Sequence, residues 1–312
     1  MGSIDMIVLV DIVVAVGMLV VVPMGLALMD GPELTRLRTL WPAGAALGVI
    51  ALVLPRGATA GVLAGVYALF TAALALQAPR RILRGRPPRE APGRPAAPPA
   101  GSGPPPGRSP LPRELAFLTA LVTPAIASTA MVAERSGFRL FGFRLETLRL
   151  TEAHFHFAGF AAALIAGLVC RAEGDSAPAR AAALTVPGGT AVVFAGFFAG
   201  DWVQLAGAAI LTAGMWLVGW LTWRDVRGAG TDPVIRGLLA LSASVLAVTM
   251  LLALDWALGE ATGLPHLPIA WMAATHGVLN AFGFALCGVL AWRRLRPFPS
   301  PVAVPGGSHA TG

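Results

Sequence analysis

The sequence predicts an all-α fold, a polytopic membrane helical bundle of about nine transmembrane helices, and three observations predict it. Of the 312 residues, 56% are hydrophobic and only 12% are charged, about half the charged share of an ordinary soluble domain. Several apolar runs reach roughly 20 residues, the length that crosses a hydrocarbon core of about 30 Å. The mean hydropathy is +0.72. Together these exclude a secreted disulfide scaffold, a coiled coil and a disordered regulator. Cys170 and Cys287 lie far apart in apolar runs and form no CxxC pair, so they read as small buried residues.

The elements follow in order. Spans are read at 4–29, 39–54, 58–77, 114–133, 151–171, 181–200, 203–223, 234–257 and 269–292. The first carries Asp5 and Asp11 and lacks a positive leading region, so it reads as a membrane span and not as a cleavable signal peptide. Only Pro55-Arg56-Gly57 separates the second and third, which therefore form a tight helical hairpin. Residues 79–113 hold twelve prolines and eight arginines among 35 residues. Such a stretch buries too little apolar surface to offset its ordering entropy, and it reads as a disordered linker. It divides a three-span unit, 1–78, from a six-span unit, 114–294, with a disordered tail at 295–312.

All 23 basic residues are arginines, and the formal net charge is +7. In a membrane protein such an excess records orientation, because cytoplasmic loops collect arginine; nucleic-acid binding is not expected. Placing the C-terminus inside and the N-terminus outside puts 18 arginines inside and five outside. Four of the five, Arg135, Arg139, Arg144 and Arg149, fall in one loop, 134–150. That loop is expected to pack on the protein surface or to face an anionic group. The location expected is a bacterial cytoplasmic membrane.

With this topology the intramembrane polar residues share a depth. Asp11, Glu134, Glu152, His154, His156, Asp201, Asp255, His276 and Asn280 all fall in the outer half or near the outer end of their spans. Ionisable groups inside a membrane are costly and usually face the bundle interior or a wet cavity. One polar pocket toward the outer side is therefore expected.

Two motifs carry it. In Thr-Glu-Ala-His-Phe-His-Phe-Ala-Gly-Phe, residues 151–160, Glu152 and His156 are four apart and share a helix face, with Gly159 one turn on. His154 lies about 200° away and faces another neighbour. In Thr-His-Gly-Val-Leu-Asn-Ala-Phe-Gly-Phe, residues 275–284, His276, Asn280 and Gly283 repeat that spacing. The glycines let a backbone or a ligand come close. A carboxylate beside a histidine would fix its tautomer and favour its protonated form, which suits acid–base work. Glu152, His156 and His276 could also form a two-histidine, one-carboxylate metal set. His-x-His on a regular helix, however, cannot aim both rings at one ion. His154-Phe155-His156-Phe157 is similar to the haem-ligating His-Phe-His-Tyr of haem–copper oxidase subunit I, over some five residues. The chain lacks the other histidines of such a centre, so no cofactor is expected, with haem or a divalent metal as the alternative.

Taken together, Leu150-Thr151, His154 through Phe160, His276-Gly277 and Asn280 through Phe284 resemble the YndJ-like family of bacterial integral membrane proteins. The resemblance covers roughly 114–294, with a looser match of hydrophobic pattern before it. It implies a multi-span protein with these polar positions and brings no established activity. The function expected from the residues is an enzyme performing acid–base chemistry on a lipophilic small molecule. Isomerisation, protonation-initiated cyclisation and epoxide opening all qualify, similar in kind to membrane-bound terpene cyclases. Glu152 or Asp255 would be the acid, with His156 and His276 tuning it or removing the last proton, and His154, Asn280, Asp11 and Asp201 nearby. Phe155, Phe157, Trp256, Trp271 and Phe282 would line the pocket, with Gly159 and Gly283 opening it. The alternative is a haem- or metal-binding, transport or sensor protein without catalysis.

Overall fold

The computed structural model describes residues 3–29, 33–84, 111–174, 176–229 and 232–295. Among the described residues nine helices are long and apolar enough to cross a membrane, and there is no strand. They are α1 (Met6–Leu26), α2 (Leu34–Val53), α3 (Ala58–Ile82), α4 (Leu111–Arg135), α5 (Leu145–Ala172), α6 (Ala177–Ala199), α7 (Asp201–Val226), α8 (Pro233–Thr262) and α9 (Ile269–Arg294). The chain is a multi-pass membrane protein. Large apolar side chains such as Val53, Leu69 and Trp202 point outward, as a hydrocarbon surrounding favours and water does not. Odd-numbered helices begin at one end of the bundle, called the upper end below.

The ordered helices reach further toward the linker than composition suggests. Helix α3 runs on through Ile82, and α4 opens at Leu111. Arg81 joins the two by donating to Glu114 at 2.5 Å, its guanidinium 5.1 Å from the Phe117 ring centre. The rest of the expected linker, 85–110, and the tail from 296 on lie outside the described residues.

Helix α5 is the axle. Inside the protein 83% of its apolar window is buried, against at most 56% for any other span. It packs against α4 on one side, while α1 and α9 approach its upper half. The α6–α7 pair is a hairpin turned by Gly200 alone, at φ +113°, a conformation that costs a side-chain-bearing residue dearly. Three glycines let these two backbones touch. A Cβ on Gly207 would lie 2.4 Å from the Val193 nitrogen, and one on Gly189 would lie 2.5 Å from the Leu211 nitrogen. Gly196 meets the Gln204 backbone in the same way. In a bilayer, where burial between helices brings little hydrophobic gain, such close dispersion contact is the main attraction.

Several helices widen into π-turns: Gly17–Val21 in α1, Phe155–Ala161 in α5, Thr222–Val226 in α7, and Ala273–Gly277 with Leu279–Leu286 in α9. Each π-turn adds a residue to the turn and rotates the side chains that follow. Such turns are rare and are frequent at functional sites. Those of α5 and α9 coincide with the two sequence motifs.

Candidate functional site

A cavity of about 750 Å³ opens in the upper half of the bundle, walled by α1, α5, α6, α7, α8 and α9. Its upper end is charged, with Arg144, Glu146, Asp201, Glu260 and His266 on the wall. Its lower end is closed by apolar side chains, among them Met215 and Phe284. Asp201 and Met215 are fourteen residues apart on α7, so the cavity is about 20 Å deep at about 1.5 Å per residue. Between these ends stand His154, His276 and Asn280. The two histidines lie nine and seven residues into α5 and α9, about 10–14 Å below the upper end.

The environment of His276 fixes its tautomer. Its Nδ1 lies 2.7 Å from the Thr249 carbonyl oxygen. A carbonyl only accepts, so Nδ1 carries the proton and Nε2 holds the free lone pair. The Asn280 amide nitrogen is 3.2 Å from Nε2 and 3.3 Å from Nδ1. Near-equal distances place it over the ring face, because a donor on the Nε2 lone pair would lie much farther from Nδ1. The contact is therefore an N–H···π contact, and among the described residues no donor is seen in the ring plane at Nε2. Asn280 is itself oriented by the Thr249 hydroxyl, which donates to Asn280 Oδ1 at 2.9 Å, with the Val245 carbonyl as a second acceptor at the same distance. His154 is half-buried on the cavity wall, edge-on to Phe155 at 5.7 Å between ring centres. Its Nε2 is enclosed and has no hydrogen-bond partner among the described residues.

His156 is oriented otherwise. Its Nδ1–H donates to the Glu152 carbonyl at 2.7 Å, and its Nε2 accepts from the Tyr67 hydroxyl at 2.7 Å. The ring is fully buried between α1 and α3, with Gly17 against its Cβ. Both nitrogens are used, and neither reaches the cavity. The Glu152 side chain does not orient this ring; its backbone does. Glu152 is itself fully buried, and neither carboxyl oxygen has a hydrogen-bond partner among the described residues. It is absent from the cavity wall.

The expected single polar pocket is thus three separate places. Besides the cavity and the His156–Tyr67 contact there is an ionic knot. Glu134, fully buried, receives Arg56 at 2.7 Å, Arg149 at 3.0 Å and the neighbouring Arg135. Arg135 also donates to the Leu52 carbonyl at 2.9 Å, which ties the α2–α3 turn to α4. Asp11 belongs here, 3.5 Å from Arg149. Two arginines of loop 134–150 are accordingly turned inward onto an anion. The other two, Arg139 and Arg144, are exposed.

Of the remaining positions, Asp201, Phe155, Phe157 and Trp256 lie on the cavity wall. Asp255 is exposed and off the wall, because its side of α8 turns away from the bundle. Trp271 is 54% exposed for the same reason on α9. Phe282 packs into the core beside the cavity. Gly159 receives Thr123, and Gly283 receives Val245, so both serve helix contact and not a ligand. Among the described residues no three His, Cys, Asp or Glu side chains converge where they could hold a metal ion. The set Glu152, His156 and His276 is not assembled, because α5 turns the first two toward α1 and α3. Gln204, Met250 and Thr249 were not singled out from sequence. Thr249 carried no signal there, since only the crossing of α8 and α9 brings its carbonyl to His276.

At the upper rim, the loop from Gly263 to Pro268 is held by His266. Its Nδ1 is 2.9 Å from the Leu264 carbonyl, its Nε2 is 2.8 Å from Glu260, and its ring stands edge-on to Trp256. The Leu264 carbonyl, followed by the Glu260 carboxylate, raises the pKa of His266 above the ordinary histidine value.

Residues 12–284 match the family model described as YndJ-like protein. The match opens within α1 and so takes in the first three spans as well as the last six. No curated protein and no solved structure matches the chain.

Proposed function

We propose that this chain, which belongs to the YndJ-like family by a match over most of its length, is a membrane enzyme performing proton-transfer chemistry on a lipophilic small molecule held in the cavity. The observation that carries the reading is His276 on the wall of one largely apolar space, its ring proton committed to the Thr249 carbonyl so that Nε2 can only accept, with a second imidazole, His154, on the same wall. Buried polar atoms are ordinarily paired, and a base held free in an apolar site has a proton to accept. His276 is the proton acceptor, fixed in one tautomer by Thr249. His154, on the same wall, is the group that returns the proton.

This favours isomerisation over protonation-initiated cyclisation or epoxide opening. Those start from a strong acid in contact with substrate, and the carboxyls first in line, Glu152 and Asp255, stand off the cavity wall. Phe155, Phe157 and Trp256 supply aromatic faces to the ligand. A second reading, a haem- or metal-binding module, draws on the same two imidazoles; a Soret band or stoichiometric metal in the purified protein would favour it. The charge bias of the loops supports a bacterial cytoplasmic membrane, with the upper end outside.

The test is occupancy. Organic extracts of purified wild-type protein are expected to contain an apolar compound that is absent from Ala253→Trp, a variant that fills the cavity from α8. Identical extracts from both proteins overturn the reading.

A further inference from the structure

We propose that the α4–α5 loop, residues 136–144, is a docking surface for the phospholipid headgroups of the upper leaflet, with Arg139 and Arg144 on the phosphates and Phe138 and Phe141 reaching into the hydrocarbon beneath them. The loop has a packed side and an open side. Leu140 and Phe143, with Leu145 of α5, pack against Ala130, Ala133 and Leu148. Backbone bonds hold the turn: the Phe138 N–H donates to the Ala133 carbonyl at 2.8 Å, and the Gly142 N–H to the Arg139 carbonyl at 3.0 Å. The open side carries Phe138, 62% exposed, and Phe141, 73% exposed, with Arg139 and Arg144, which are exposed as well. Phe141 is held out against a backbone preference, since its φ of +54° is left-handed and disfavoured for a bulky residue. Water offers two such rings no gain to offset that cost, whereas hydrocarbon does.

What Phe141 touches fixes its depth. Its ring centre lies 5.5 Å from that of Phe198, and Phe198 stands one residue inside the upper end of α6. Phe143 meets the same ring at 5.5 Å. The loop therefore folds back beside a membrane-spanning helix and does not rise away from it. Phe198 and Trp202, both exposed, extend the outward face, as aromatic residues do at a membrane–water interface. Residues 136–144 hold two arginines and no carboxylate, and neither arginine pairs with a carboxylate among the described residues. Guanidinium edges match the oxygens of a phosphate in pairs. A bilayer supplies phosphate directly above hydrocarbon, the order in which the loop presents its arginines and rings. The four arginines between 134 and 150 then all face anions, Arg135 and Arg149 on Glu134 and the other two on lipid. This places the cavity mouth, which Arg144 flanks, at headgroup level.

The experiment places two labels on the wild-type full chain in nanodiscs of equal phosphatidylcholine and phosphatidylglycerol. One is a carbene from an aryl diazirine dissolved in the bilayer, the other hydroxyl radical generated in the water, and peptides covering 136–144 are read by mass spectrometry. Phe138 and Phe141 are expected to take carbene as strongly as Phe198 and to be as well shielded from the radical. Radical label without carbene overturns the proposal. Shielding from both reagents also overturns it, because a second copy of the chain or another protein would then cover the loop. In a variant carrying Arg139→Glu together with Arg144→Glu, carbene label on Phe138 and Phe141 should be lost to radical label while that on Phe198 persists. An unchanged pattern in this variant overturns the part given to the arginines.

Discussion

At the scale of the residue, three histidines in the upper half of the bundle do different work because their neighbours differ. His156 has an acceptor for its proton and a donor for its lone pair, so it belongs to the framework. Tyr67→Phe removes that donor and should destabilise the protein by about 1–3 kcal/mol, the cost of a buried acceptor left unmade, read as a lowered thermal midpoint. Glu152 predicts the reverse of an essential acid. Its carboxyl has no hydrogen-bond partner among the described residues, so Glu152→Gln loses no bond and trades a costly buried acid for a neutral isostere. Its thermal midpoint should equal or exceed that of the wild type, and turnover should persist. Glu134→Gln should behave quite differently. Leaving Arg135 and Arg149 without their carboxylate is expected to cost about 3–5 kcal/mol, read as a lowered midpoint or lost expression.

At the scale of the element, the sequence showed where helices run but not how each is rotated. Apolar run length set the nine spans to within six residues at every end, because crossing a bilayer demands it. The 0, 4, 7 spacing put Glu152 with His156 and His276 with Asn280; His156 meets the Glu152 backbone and not its carboxyl, and Asn280 meets the His276 ring. It could not say that the first pair faces α3 and the second faces the cavity, since that rests on π-turns and helix crossings that no local pattern encodes. Nor could it separate Gly159 and Gly283, which admit a neighbouring side chain, from glycines that admit a ligand. The α8–α9 loop carries a pH prediction. His266 has a pKa raised by its bonds to Leu264 and Glu260, so the charged ring contributes stability that is fully present below the unfolded value of about 6.5. That contribution is lost as pH rises through the higher folded value. A wild-type stability advantage over His266→Gln should therefore be present at pH 6 and shrink toward pH 9. An advantage that grows with pH contradicts the assignment.

At the scale of the whole molecule, the few charges of an apolar chain fall into three groups with separate tasks. The Glu134 knot fastens the upper ends of α2, α4 and α5, the rim charges ring the cavity mouth, and arginines gather at the opposite end. Depth was legible in the sequence, since His154, Asp201, His276 and Asn280 fall in the upper halves of their spans. Partition among the groups was not, because it follows from packing between helices far apart in sequence. Orientation is open to direct test. Leu140→Cys, Asp201→Cys and Thr262→Cys should be labelled by an impermeant thiol reagent from outside intact cells, and labelling only after lysis would reverse the topology.

If His154 and His276 move a proton on a lipophilic molecule, solvent deuterium records the transfer. The full chain in phosphatidylcholine nanodiscs is incubated in D₂O with an organic extract of its native membranes, and the extract is then analysed by mass spectrometry. The account predicts protein-dependent gain of non-exchangeable deuterium in at least one compound, retained by Glu152→Gln and lost in His276→Gln. No gain with the wild type, or an equal gain when both His154 and His276 are replaced, would contradict it.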